Sequence, residues 1–137
     1  MGDAPVNIYL DSSAIIYGIE GTQELHGAVI ARVAKTEAGG GVFSTSRLSR
    51  LECRVVPLRR GQTDLLSRYD EFFLRRSLQI IDIGGSVIDL ATDLRVRYGL
   101  KTPDAIHVAT AMDCGADLIL TGDHDMARVK EIKVELV

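Results

Sequence analysis

The chain has 137 residues, 46% of them hydrophobic and 26% charged, with a formal net charge of −3. That length fits one domain with a real core, expected over residues 1–137, and the charge argues against coating a duplex with the whole surface. No segment reads as a bilayer span and the N-terminus lacks a basic-then-apolar signal pattern, so a cytoplasmic protein without membrane attachment is expected.

In chain order, a buried strand is predicted at Val6–Leu10, then a brief helix over Ser12–Ile19 begun by an Asx or Ser cap. Apolar residues from Leu25 to Ala34 recur with helical rhythm over Gln23–Thr36, and Gly39-Gly40-Gly41 ends that helix. Val42–Thr45 is a second strand. A helix from Ser46 or Arg47 runs to about Val56, where Pro57 is expected to stop or kink it. Gly61 separates it from an amphipathic helix over Gln62–Arg75, and Leu78–Ile83 is a third strand. Ser86–Tyr98 and Pro103–Cys114 are helices divided by Gly99. Asp117–Thr121 is a fourth strand, a short helix follows near Asp123–Val129, and Ile132–Val134 is a candidate fifth strand. Strands alternating with helices predict an α/β fold of three layers, a parallel sheet of four or five strands covered on both faces.

Cys53 and Cys114 have no metal-ligand spacing and read as reduced, mostly buried thiols. Residues 47–76 hold eight arginines against four acids, half of the 16 Lys and Arg in the chain. A solvated pair of helices accounts for them; a surface that meets phosphates or an acidic partner is the functional alternative.

Four acids fall where such a sheet puts its ligand site, beyond the carboxyl ends of strands. Asp11 follows the first strand, Glu52 lies on the helix after the second, Asp104 opens a late helix, and Asp123 follows the fourth strand. Asp11, Asp104 and Asp123 each stand at a helix start, where an acid alone is explained as a cap. Glu52 is harder to explain so, because Leu48, Leu51 and Val55 share its stripe and predict that it points toward the sheet. A carboxylate there needs a partner or a cation. Gathered together, the four form an oxygen-only ligand set for Mg²⁺ or Mn²⁺, the chemistry of phosphodiester hydrolysis. No nucleophilic triad stands out, and His26, His107 and His124 read as solvated or packing residues. Gly39-Gly40-Gly41 precedes a strand, which argues against a phosphate-cradling loop.

At these residues the chain resembles PIN-domain proteins, and most of all the VapC-type toxins of bacterial toxin–antitoxin pairs. The resemblance rests on Tyr9-Leu10-Asp11-Ser12-Ser13-Ala14, Ser49-Arg50-Leu51-Glu52-Cys53-Arg54, Leu120-Thr121-Gly122-Asp123 and, most specifically, on residues 101–111 from Lys101-Thr102-Pro103-Asp104 onward. It implies an endoribonuclease whose metal-binding and catalytic acids are Asp11, Glu52, Asp104 and Asp123. Ser12 and Thr121 match supporting polar positions. Gly122 stands where the family often has Asn and Met126 where a phenylalanine is common, so Asp125 could share or replace the role of Asp123. The resemblance also implies a cognate antitoxin that blocks the pocket, an RNA substrate and a homodimer. Two other readings stay open: a phosphoacceptor receiver domain using Asp82, and a PIN-like RNA-binding scaffold without catalysis.

Overall fold

The computed structural model describes residues 5–137, so the first four residues of the expected domain lie outside the described residues. Its elements are β1 (Asn7–Leu10), α1 (Ser12–Glu20), α2 (Gln23–Ala38), β2 (Val42–Ser46), α3 (Arg47–Arg59) and α4 (Thr63–Phe73). They continue as β3 (Leu78–Ile81), α5 (Gly85–Tyr98), α6 (Thr102–Asp113), β4 (Leu118–Thr121), a 3-10 turn (His124–Arg128) and β5 (Lys133–Leu136). The strands form one sheet in the order β3-β2-β1-β4-β5, and every neighbouring pair is parallel.

Alternation along the strands builds the two faces. Ile8 and Leu10 of β1 and Leu118 and Leu120 of β4 pack with Ala14, Ile15, Cys53 and Tyr69. Between them, Tyr9 and Ile119 point to the other face, against Leu94 of α5 and Val108 of α6. Both faces are buried, which is why β1 and β4 read as nearly continuous apolar runs. Gly99 lets α5 end in a left-handed turn, at φ 66° and with its N–H on the Arg95 carbonyl; any side chain there would be strained.

The chain runs outward from β1 to β2 and β3, then returns through α5 and α6 to lay β4 on the other side of β1. Strand order therefore reverses between β1 and β4, and their carboxyl ends flank the crevice where open α/β sheets bind ligands. A receiver domain has the order 2-1-3-4-5 instead, so that alternative fails on topology. Asp82, its proposed phosphoacceptor, follows the edge strand β3 with its side chain 82% exposed, paired with Arg47 at 2.8 Å.

Three local expectations need correction. Helix α3 does not stop before Pro57 but continues to Arg59 with the proline buried inside it. Only one carbonyl of the last turns loses its amide partner there, and burial of the ring offsets the loss. The stripe that faces the sheet is Ser49, Cys53 and Pro57, not Leu48, Leu51 and Val55; Leu51 is 60% exposed. Small residues four apart let the helix approach closely, and Ser49 accepts from Thr45 Oγ1 at 2.7 Å. Finally, β5 lies at Lys133–Leu136 because pairing with β4 sets Lys133 opposite Leu118 and Leu136 opposite Thr121.

Candidate active site

Asp11 is 3% exposed and caps α1, accepting the Ala14 N–H on Oδ1 at 3.0 Å. Ser13 donates to the same oxygen at 2.7 Å, and Thr121 Oγ1 donates to Oδ2 at 2.5 Å. Thr121 Oγ1 also accepts the Asp123 N–H at 2.9 Å, and Ser13 Oγ accepts the Gly122 N–H at 2.9 Å. These short polar side chains lace the end of β1 to the end of β4 and hold Asp11 and Asp123 in one frame. The sequence reading does not single out Ser13; its signal is a second hydroxyl beside Ser12 directly after a strand.

Asp123 caps the 3-10 turn, its Oδ1 accepting the Asp125 N–H at 2.9 Å. Asp125 takes part through that amide, and the residue itself is exposed. Asp104 has no capping bond, because the cap of α6 is Lys101 and Asp104 stands in the first turn. Its carboxyl instead lies close enough to that of Asp123 to feel its charge. Burial, then that charge, push Asp104 up to about 6. Two carboxyls this close repel when both are ionised, and a proton or a cation relieves the repulsion. The cap reading therefore describes Asp11 and Asp123 and leaves Asp104 unexplained.

Glu52 is half-buried and accepts from Ser12 Oγ at 2.6 Å and from His107 Nε2 at 2.7 Å, both on Oε1. Burial pushes its carboxyl up, but the donors His107 and Ser12 outweigh that and hold it below its ordinary value. His107, read from the sequence as a packing or solvated residue, is 2% exposed. Its Nδ1 lies 2.7 Å from the Tyr9 hydroxyl. The missed signal was spacing: His107 follows Asp104 by three positions, so both lie on one face of α6.

Among the described residues, no three His, Cys, Asp or Glu side chains converge into a ready-made metal cage. The donor chemistry nevertheless fits a hard divalent cation: carboxylate oxygens, no thiolate at the crevice, and a pair of acids that cannot both ionise without repulsion. Much of the arginine-rich segment is paired. Arg54 and Arg50 meet Asp70 at 2.7 and 3.4 Å, and Arg75 meets Glu37 at 3.2 Å. Among the described residues no ion pair involves Arg59, Arg60 or Arg76, which are all exposed. Gly122 has a steric explanation, since a Cβ there would lie 2.3 Å from Cε2 of Tyr17. Met126, in place of the more usual phenylalanine, is buried in the core.

A parallel α/β sheet with acids at its switch-point crevice defines an architecture that many ligand-binding proteins share rather than one protein. The family is more specific: the PIN domain matches residues 8–132, and the chain belongs to the PIN-domain family. No curated protein matches the chain. Among solved structures it is similar to VapBC2 from Rickettsia felis bound to a DNA fragment from its promoter, with TM-score 0.74 and 15% identity, covering 96% of this chain and 99% of that one. It is also similar to VapC20 of Mycobacterium tuberculosis, a sarcin-ricin loop cleaving toxin, with TM-score 0.73 and 17% identity over 88% and 93% of the two chains. A toxin–antitoxin complex from Klebsiella pneumoniae matches with TM-score 0.69 and 23% identity over 91% and 94%. At these identities the likeness is one of fold. Among the described residues, no helix is long and apolar enough to cross a membrane.

Proposed function

We propose that this chain is a metal-dependent endoribonuclease, the toxin of a toxin–antitoxin pair, acting as a single domain in the cytoplasm. Asp11, Glu52, Asp104 and Asp123 are its metal-binding and catalytic carboxylates, and Ser12, Thr121 and Asp125 support them. The observation that carries this reading is the closeness of Asp104 and Asp123 at the switch-point crevice, where burial and the charge of Asp123 hold the Asp104 carboxyl well above its ordinary value unless a cation offsets the repulsion. Bound Mg²⁺ or Mn²⁺ would activate a water for attack on phosphorus and neutralise the leaving oxygen.

The protein's own part is to place charge. Thr121 and Ser13 hold Asp11 with both oxygens directed, so the crevice keeps its negative floor without side-chain motion. His107 and Ser12 donate to Glu52 and favour its ionised form. Asp104 and Asp123 would help hold the cation, which would offset the repulsion between their carboxylates.

The antitoxin and the RNA substrate are proposed from the family and from the similar structures, which include a toxin–antitoxin complex and a toxin that cleaves the sarcin-ricin loop. Leu51 and Leu58, 60% and 62% exposed on α3, offer apolar surface for a protein partner, and a homodimer is part of the same proposal. The test is cleavage of a defined RNA in Mn²⁺ and in EDTA, with wild type and Asp104→Asn. Cleavage that survives EDTA, or that Asp104→Asn performs in full, would overturn the assignment. RNA binding without any cleavage would instead support the scaffold reading.

A further inference from the structure

Tyr9, His107, Ser12 and Glu52 form a continuous polar chain from the core to the crevice. Tyr9 is fully buried on β1, on the α6 side of the sheet, where its ring meets the His107 ring edge-on with centroids 5.9 Å apart. Its hydroxyl reaches His107 Nδ1 at 2.7 Å, and Nε2 of the same ring reaches Glu52 Oε1 at 2.7 Å. Ser12 Oγ completes the group, 2.6 Å from Oε1 and 3.3 Å from Nε2.

The protons can be placed from these distances alone. An imidazole nitrogen without a hydrogen would set its lone pair against a carboxylate oxygen at 2.7 Å, which is repulsive. Nε2 therefore carries a hydrogen and donates to Glu52, whether the ring holds one proton or two. With one, Nδ1 accepts from the Tyr9 hydroxyl, and that bond anchors the ring in the orientation that serves Glu52. Both donors then fall on Oε1, and Oε2 is left as the oxygen open to a cation.

We propose that His107, set by Tyr9, is a positioning residue that fixes the rotamer of Glu52 and reserves Oε2 for the divalent ion. The inference rests on the metal-dependent reading of the site. Metal-binding side chains are commonly oriented by a hydrogen bond to their other polar atom, with losses of about 10–100-fold in affinity when that partner is removed. In this chain the carboxylate is the ligand and the histidine is the partner. Burial makes the arrangement stiff: a 2% exposed ring on α6, stacked edge-on against a residue of β1, has no room to follow a wandering glutamate.

Mn²⁺ affinity by calorimetry, on variants whose fold is checked by circular dichroism, tests it together with ¹⁵N NMR of His107 without metal. His107→Leu is expected to weaken Mn²⁺ binding by about 10–100-fold. His107→Gln, which keeps an amide N–H near the place of Nε2, recovers most of the loss. Tyr9→Phe keeps the ring packing but removes the hydroxyl, so the Nδ1 ¹⁵N signal moves as its hydrogen bond is lost and affinity falls by a smaller factor. If Glu52→Gln weakens Mn²⁺ binding while His107→Leu does not, the positioning role is overturned and the proposed function stands. Unchanged affinity in Glu52→Gln overturns both. Glutamine performing no better than leucine would assign His107 to packing alone. Should His107→Leu fail to fold, Tyr9→Phe decides, and an unchanged Nδ1 signal with unchanged affinity overturns the proposal.

Discussion

Asp104, in the first turn of α6, and Asp123, just past the end of β4, lie close enough in the crevice for the charge of Asp123 to raise the half-buried Asp104 carboxyl. Neither element alone requires this. It follows from β4 lying beside β1 with α6 leading into it, which brings the start of a helix against the end of the strand that comes after it.

This pair sets the sign of the pH dependence. Burial and Asp123 raise Asp104 from 3.8 to about 6 in the folded state. The protonated form is favoured by the fold, so its stabilising contribution is complete below about pH 4 and is lost as pH rises through 6. Without metal, the melting temperature is expected to fall over that window, and Asp104→Asn should flatten the fall. Glu52 works in the opposite direction: its carboxyl is held low, so its contribution is lost on acidification below its ordinary 4.5. Thermal melts from pH 2.5 to 7 check both, and a flat wild-type profile would count against the raised Asp104 carboxyl.

Divalent cation should reverse that loss. A ligand that binds only the folded state stabilises it by mass action, by about 2.7 kcal/mol at one hundred times its Kd. Millimolar Mg²⁺ or Mn²⁺ at pH 7 is expected to raise the melting temperature of the wild type, and less so that of Glu52→Gln. Identical curves with and without either ion would contradict the metal site.

Asp104→Asn is expected to keep the fold and to lose catalysis. Removing one preorganised group that stabilises developing charge costs on the order of 10²–10³ in rate. Single-turnover cleavage of a short RNA in Mn²⁺ measures the loss.

Gly122 and Tyr17 should behave as a coupled pair. With the Tyr17 ring 2.3 Å from where a Cβ would sit, Gly122→Ala is expected to destabilise by about 1–3 kcal/mol, as overpacking does. In a Tyr17→Ser background the cost should shrink, and the difference is the interaction energy of the pair. Equal costs by urea denaturation in the two backgrounds would show that the ring is not the obstacle.

Arg59 and Arg60 are exposed at the end of α3, outside the ion pairs that hold Arg50 and Arg54 to Asp70. Changing both to Ala is expected to weaken RNA binding and to reduce its salt slope by about one unit for each phosphate no longer neutralised. If cleavage persists while inhibition by a partner disappears, the patch belongs to protein recognition.

Strand and helix order was legible in the sequence because period-two and period-3.6 patterns and Gly or Pro punctuation are local properties of the chain. Asp11, Asp104 and Asp123 stood out for the same reason, since each sits at or near a helix start, whereas Glu52 stood out as an acid within the helix after β2. The runs around Asp11 and Asp104 carry the family resemblance without any geometry. What the sequence left open was decided by neighbours far along the chain. The apolar pattern placed Leu51 and Val55 inward, yet α3 turns Ser49 and Cys53 to the sheet, because close approach of the helix favours small residues over large ones. His107 could be read only as a lone histidine until β1 brought Tyr9 to one ring nitrogen and α3 brought Glu52 to the other. Asp82 was open as a phosphoacceptor until the strand order set β3 at the edge of the sheet. Pairing across the sheet and between its layers is a property of the folded chain, and it chose which polar residues meet.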